Sequence, residues 1–193
     1  MNLKRTVAPA ATPVTLTEAK AHLRVTSSAE DTLITALIAA ATDHLDGWTG
    51  ILGRALVTQT WKFYLDVWPD GDVIRIPLVP LQSVTSVTYL DPGTGVAATV
   101  DADDYIVDTV SPDGWIVPVE GFAWPEPKDA INAIEVTFVC GHGDAAAVPA
   151  AIKAAILLIV GDLYANREGQ SDRAITVNAT VDRLLAPWRR VTL

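Results

Sequence analysis

The sequence has almost no sulfur and few histidines. One of its 193 residues is cysteine and one is methionine, so no disulfide can form within the chain. The three histidines, His22, His44 and His142, lie far apart, and none has a second histidine or a cysteine at the spacing of zinc ligands. Cys140 falls on the apolar phase of a predicted strand, so we expect its thiol to be buried and inert. These scarcities argue against a disulfide scaffold, a zinc site and thiol chemistry.

Positive charge and long apolar runs are also scarce. Lysine and arginine number 14 against 23 acidic residues, which gives a net charge of -9 and a surface that repels phosphate. The most apolar stretch, residues 145–160, is interrupted by Pro149 and Lys153 and is shorter than the roughly 20 residues of a membrane span. The first 13 residues carry no apolar run of the signal-peptide type. We therefore expect no sequence-specific DNA binding, no signal peptide and no membrane partner.

Motifs of catalysis and cofactor binding are missing as well. The sequence contains neither a Walker-type phosphate loop nor a Gly-x-Ser-x-Gly nucleophile turn. The acidic run Asp101–Asp104 starts like a calcium-binding loop, but Tyr105 and Ile106 stand where an oxygen ligand and a glycine are needed. A metal-dependent hydrolase would require the acids of residues 101–108 to converge with a histidine. We expect no enzyme activity, no catalytic residue, no metal and no cofactor.

Apolar residues make up 50% of the chain, and their spacing changes twice. Helical spacing, which begins after a threonine suited to be an N-cap, gives way to a period of two and returns after Pro149. The pattern predicts an α+β fold. A small helical bundle, residues 14–53 and 141–190, is split in sequence by an inserted antiparallel β-sandwich or barrel-like unit, residues 54–140.

The helix predicted after Pro149 is apolar around nearly its whole circumference. Such a helix needs cover on several sides, and its available partners in the chain are the two N-terminal helices. We expect these helices to share one core, formed by Leu37, Ile38, Leu45, Ile156, Ile159 and Leu163. If these two helices leave part of its apolar surface uncovered, that part is expected to contact another subunit. The candidates for these contacts are Trp124, Ile152, Ile156 and Tyr164.

Six tryptophans are many for a chain of this length. The phases of Trp48 and Trp61 point inward, so we expect both in the core, whereas Trp124 and Trp188 lie outside the periodic segments and suit contacts. Exposed coplanar tryptophans on a β-sandwich would instead suit a sugar ligand. A carbohydrate-binding module is therefore an alternative that the sequence leaves open.

The end of the chain, residues 179–193, reverses the sign of the local charge. Three arginines and no acid follow Asp182, beside three large apolar side chains. Cations at this position suit the C-terminal end of a helix, whose dipole favours positive charge. The alternative is a docking tail that is loosely held in the free chain and binds an acidic partner. Its candidate contact residues are Arg183, Leu184, Leu185, Trp188, Arg189 and Arg190.

Several segments occur in a distinctive order along the chain. They are Val14–Leu23, Glu30–Ile34, Thr49-Gly50, Thr58–Trp61, Pro80–Asp91, Val148–Leu158, Tyr164–Glu168 and Leu184–Arg189. Together they resemble the head-tail connector (adaptor) family of tailed bacteriophages, in its longer form with a β unit inserted between helices. The resemblance spans residues 14–190. One departure is the insertion of Ile51 and Leu52, where relatives usually run Thr-Gly-Arg directly.

The resemblance implies a structural role in a virion. Copies of the chain would form a ring, usually twelve-fold, that links the portal protein to the stopper (head-completion) protein and the tail. Double-stranded DNA would pass through without specific binding, and the docking tail would bind the portal. The ring would be assembled in the bacterial cytoplasm and would be located at the head-tail junction of a phage or a gene transfer particle. Under the alternative, the β unit would be a carbohydrate-binding module of a tail-associated protein.

Overall fold

The computed structural model describes residues 2–111, 113–166 and 178–190. Two units divide the chain: a helical unit, Ala11–Val57 with His142–Leu193, and a β unit, Met1–Ala10 with Thr58–Gly141. The predicted α+β fold is confirmed, since helices and antiparallel sheets segregate into these units. No closed barrel occurs among the described residues, so the barrel-like option is not realised. None of the described helices is long and apolar enough to cross a membrane.

The described residues of the helical unit form four α-helices. They are α1 (Leu16–Leu23), α2 (Asp31–Leu45), α3 (Ala150–Ala165) and α4 (Ala179–Leu185), and a 3₁₀ turn (Ala186–Trp188) follows α4. Helix α1 begins at Thr15 in a capping box with Glu18: the Glu18 amide donates to Thr15 Oγ1 at 3.2 Å, and the Thr15 amide donates to Glu18 Oε2 at 2.7 Å. The helix ends at Arg24, whose φ of 59° turns the chain toward α2.

One apolar core joins all four helices, as the periodicity required. Its fully buried members include Ile34, Leu45, Leu52, Ile152, Ile156, Val160 and Leu185. Leu37 and Ile159 pack against this core, but Leu163 is 39% exposed, so its predicted core position is wrong. The last turn of α3 directs Tyr164 toward α2, where its hydroxyl donates to Glu30 Oε2 at 2.5 Å. Leu163, about 100° further round the helix, is left on the outside.

The β unit consists of two antiparallel sheets. In the larger, the strand order is β1 (Asn2–Val7), β2 (Gln59–Leu65), β8 (Ile134–Cys140), β4 (Leu81–Leu90) and β5 (Ala97–Thr99). The smaller has the order β3 (Ile74–Arg75), β7 (Trp115–Pro118) and β6 (Tyr105–Asp108). The central strand β8 buries every second side chain, from Ile134 to Cys140, which is the alternation that its sequence predicts.

Candidate protein-interaction surfaces

Residues that could carry chemistry have structural roles in the described parts of the chain. Cys140 is fully buried in β8, as predicted. Asp101, at the start of the suspected calcium loop, caps a 3₁₀ turn by accepting from the Asp103 amide at 3.1 Å. The Asp108 carboxylate accepts from the hydroxyl and the backbone of Ser111, and these bonds lower its pKa. No group of three potential metal ligands converges within the described residues.

Trp68 and Trp124 do not present the exposed coplanar rings that a sugar-binding platform needs. Trp124 is 8% exposed and stacks on Trp68 with ring centroids 4.7 Å apart. Both indole nitrogens donate to backbone carbonyls, Trp68 to Pro125 and Trp124 to Asp72. Trp124 therefore packs in the interior of the β unit against the half-buried Trp68, and the prediction that Trp124 is a contact residue is wrong. Its partner Trp68 is distant in sequence, which explains why no local pattern signalled this burial.

The other candidates for subunit contacts separate into two groups. Ile152 and Ile156 are fully buried in the core of the helical unit, because α4 adds to the cover that the two N-terminal helices give to α3. Their predicted surface role is therefore replaced by a core role. Tyr164 is only partly buried, at the end of α3 where it bonds to Glu30. Tyr164 alone of the four lies where a second subunit could reach it.

The C-terminal segment, residues 178–190, is packed against its own helical unit rather than loosely held. Asn178 caps α4 by accepting from the amides of Thr180 and Val181 at 3.1 and 3.4 Å. Leu185 is fully buried, and Leu184 and Trp188 are partly buried against the same core. The prediction of a loose tail is wrong for these residues, because the core of α2 and α3 provides the apolar cover that composition alone did not reveal. Residues 191–193 of the predicted tail lie outside the described residues.

Polar contacts hold the end of this segment in place. Arg54 Nε donates to the Trp188 carbonyl at 2.6 Å, and the Arg190 amide donates to the Leu52 carbonyl at 3.0 Å. The His142 ring meets Trp188 edge-on, with centroids 6.0 Å apart. His142 Nε2 is buried and has no hydrogen-bond partner among the described residues. Burial, with a smaller contribution from the Arg54 charge, lowers the pKa of this imidazole.

The outward side of the segment is cationic. Arg183 is exposed, and Arg189 is 44% exposed in a 2.6 Å ion pair with Asp182. Of the six residues predicted to dock, the structure therefore presents Arg183, Arg189 and the exposed edges of Leu184 and Trp188, while Arg190 is half-buried and Leu185 is an interior anchor. A partner could bind this face without displacing the segment.

A second exposed surface was missed by the sequence reasoning. Helix α2 ends at Leu45, and the loop of residues 46–54 turns Trp48 and Ile51 outward, each 41% exposed. The prediction that Trp48 points inward is wrong, because it extended the helical phase beyond the end of the helix. The two glycines that flank Trp48 at residues 47 and 50 were the available signal for this ending.

Charge is distributed unevenly between the units. The β unit holds 13 of the 23 acidic residues and 5 of the 14 basic ones, a net charge of -8. The helical unit holds the other 10 acids and 9 bases, a net charge of -1. In the β unit, Lys62 is paired with Glu135 at 2.7 Å, and Arg75 lies over the ring of Trp115. This unit therefore presents a strongly acidic surface.

Comparison with known proteins gives one family and several structures. Residues 13–89 match the family model of the phage gp6-like head-tail connector protein. A chain from the virion of a native gene transfer agent (GTA) particle is 25% identical, with a TM-score of 0.81. A chain from the neck of an empty GTA particle computed with C6 symmetry is 24% identical, with a TM-score of 0.80. A chain from the neck of a native GTA particle computed with C12 symmetry is 25% identical, with a TM-score of 0.72.

Each of these three likenesses covers 100% of this chain and 97% of the other. No match was found among curated proteins.

Proposed function

We infer the molecular role of this chain from its similarity to phage gp6-like head-tail connector proteins over residues 13–89 and to chains of GTA particles over its full length. It is a structural connector of a phage-like particle, and its family and structural neighbours are neck proteins rather than enzymes. We propose that copies of it form a ring at the head-tail junction, usually twelve-fold, that joins the portal protein to the stopper and the tail. The observation that carries this proposal is the full-length likeness to chains of GTA necks.

The charge of the β unit supports a place beside passing DNA. Its net charge of -8 repels phosphate, so double-stranded DNA would slide past it without sticking. The unit's strong acidity also makes the cationic face of the C-terminal segment the better candidate for binding an acidic protein partner.

For the portal contact, we propose the outward face of residues 178–190. Arg183 and Arg189 supply charge, and the exposed edges of Leu184 and Trp188 supply apolar contact. Arg190, whose amide is bonded to Leu52, fixes the end of this face. The packing of α4 onto the core preorganises the face, which lowers the entropy lost on binding.

A portal pull-down with charge-reversed variants tests this proposal. The doubly substituted chain, Arg183→Glu with Arg189→Glu, keeps its interior contacts and should lose at least about 10-fold in capture of the particle's portal protein. The matched control is Lys128→Glu, a reversal at an exposed cation of the β unit. Undiminished capture of the double variant would place the docking surface elsewhere. Failure of the wild-type chain to bind any portal or to appear in the neck would overturn the connector role itself.

A further inference from the structure

The larger sheet of the β unit exposes apolar side chains at one of its ends. Strands β2 and β4 finish at this end, and β5 and β8 begin there, because neighbouring strands are antiparallel. The segments that connect the strands there form what we call the loop end, residues 66–72, 90–96 and 126–132. Three aliphatic side chains of the loop end are mostly exposed: Val67 at 69%, Val96 at 65% and Ile131 at 80%. Exposed apolar residues grouped in this way are typical of a contact surface.

Hydrogen bonds join the segments of the loop end to one another and to β1. The Asn132 amide donates to Asp66 Oδ1 at 2.6 Å, and Asn2 Nδ2 donates to Asn132 Oδ1 at 2.8 Å. The Lys128 amide donates to the Leu90 carbonyl at 2.8 Å. These bonds hold the backbone of the three segments in place. The exposed side chains are therefore preorganised, which lowers the entropy lost when a partner binds.

The loop end is strongly negative, and its charge is not neutralised from within. It holds six acidic residues and one lysine, a net charge of -5, which is more than half of the -8 of the β unit. Five of the acids are exposed: Asp66, Asp70, Asp72, Glu126 and Asp129. None of these five forms an ion pair with another described residue. Their charge is therefore available to a partner.

This charge decides which class of partner fits the loop end. Double-stranded DNA, an anionic membrane and the loop end of a second copy all carry negative charge, so the loop end repels them. Among the described residues, the cationic face of a second copy is that of residues 178–190, which we assign to the portal. A different protein with lysine or arginine around an apolar centre matches both the acids and the aliphatic side chains.

We propose that the loop end docks a second protein of the particle neck through a basic surface with an apolar centre. This inference rests on the proposed function and adds to it an interaction surface distinct from the portal contact. The carboxylates attract the partner and set its orientation, since complementary charge mainly raises the rate and the specificity of association. Val67, Val96 and Ile131 supply the apolar contact that becomes buried in the complex.

Zero-length cross-linking of intact particles tests the contact, because a carbodiimide joins a carboxylate only to a lysine amine that lies against it. Peptides that contain Asp70 or Asp129 should be recovered joined to lysines of a protein other than this chain. Mass spectrometry of these peptides identifies that protein. The matched control is the exposed pair Asp101 and Asp103, which lies outside the loop end and should give no such product.

Binding of the protein so identified to purified variants separates the contribution of charge from that of apolar contact. The double variant, Asp70→Lys with Asp129→Lys, should weaken binding about 10-fold at low salt and less at high salt, because salt screens exposed charges. Ile131→Ser should weaken it about 10-fold at either salt concentration. The matched control Val110→Ser, at a side chain that is 93% exposed outside the loop end, should leave binding unchanged.

Several results would overturn the proposal. Products that join the loop end to lysines of a second copy would make it a contact between subunits, and equal products from the control pair would show that the contact is not specific. Equal binding of the identified protein by the wild type and the loop-end variants would also reject this surface. Particles whose neck contains the chain but gives no loop-end product reject this contact alone. Particles whose neck lacks the chain would reject the proposed function together with the contact.

Discussion

Glu18 is held in its charged form by contacts on both sides. Its carboxylate accepts from the Thr15 amide and from Lys153 Nζ, the latter at 2.9 Å. The backbone bond, followed by the bond to Lys153, lowers the pKa of Glu18 from 4.5 to about 2. This one residue thus caps α1 and ties it to α3.

The first prediction concerns the acid stability that Glu18 confers. Because its folded pKa is depressed, the stabilisation is present above about pH 4.5 and is lost as the pH falls toward 2. The side chain is 41% exposed, so solvent screening reduces the contribution to about 1 kcal/mol. Urea denaturation should show Glu18→Gln less stable than the wild type by this amount at neutral pH and equal to it near pH 2. A difference that persists at pH 2 would contradict this origin.

The second prediction concerns His142, whose burial favours the neutral side chain, whereas the contacts of Glu18 favour the charged one. Its folded pKa lies below 6.5, so the stabilisation that comes from the neutral imidazole is lost as the pH falls through 6.5. Protonation would place a second cation beside Arg54 and weaken the hold on Trp188. Between about pH 7.5 and about pH 5.5, the melting temperature should fall more for the wild type than for His142→Phe, which keeps a ring against Trp188. Equal falls in the two proteins would refute the assignment.

At the scale of the element, the packing of residues 178–190 changes how the docking prediction can be tested. A segment with few apolar residues around it in sequence is expected to be loose, but α4 packs on α3 and joins the core of the helical unit. The capping by Asn178 and the burial of Leu185 make it the fourth helix of the bundle. Removal of residues 179–193 therefore exposes core and is unsuitable as a test of docking alone.

The third prediction follows from the burial of Leu185. Leu185→Ala leaves a cavity beneath α4 and should lower the free energy of unfolding by about 2 to 4 kcal/mol. Substitution of the exposed neighbour, Arg183→Ala, should change the free energy of unfolding by about 0.5 kcal/mol or less. Urea titration of both variants gives the comparison. Equal stability of Leu185→Ala and the wild type would contradict the packing of α4 and would indicate a loosely held tail.

At the scale of the whole molecule, charge is divided between the units rather than spread evenly. The β unit carries a net charge of -8 and the helical unit -1, so the two units present different surfaces to DNA and to protein partners. The net charge of the whole chain, -9, does not show this difference between the two units. The net negative charge of the chain therefore lies almost wholly in the β unit.

The fourth prediction is that the chain does not hold duplex DNA. Affinity should be weaker than micromolar at physiological salt, because 14 lysines and arginines are set against 23 acidic residues. The control replaces four exposed acids of the β unit, Asp101, Asp103, Asp113 and Glu126, with lysine, and it should gain salt-dependent binding. Fluorescence anisotropy with a labelled duplex measures both proteins. Micromolar binding by the wild type would contradict the proposed passage of DNA.

The sequence by itself determined the parts of the fold that local physics encodes. The 3.6-residue spacing placed α2 and α3, the alternation from Ile134 to Cys140 placed β8, and a threonine marked the start of α1. Strand β1 (Asn2–Val7) was not predicted, since it lies at a sheet edge with nearly every side chain exposed. A strand that buries neither face leaves no periodic pattern to read.

Tertiary structure alone decided which apolar side chains face outward. Trp124 is buried because Trp68 stacks on it, and Leu185 is buried because α4 packs on α3 in the shared core. Trp48 is exposed because the chain pairs Asp46 with residues 54 and 56 and so turns away from the helix. Periodicity reports the phase of a side chain within its own element. Its exposure depends on partners far along the chain, and the candidate interaction surfaces were accordingly visible only in the folded molecule.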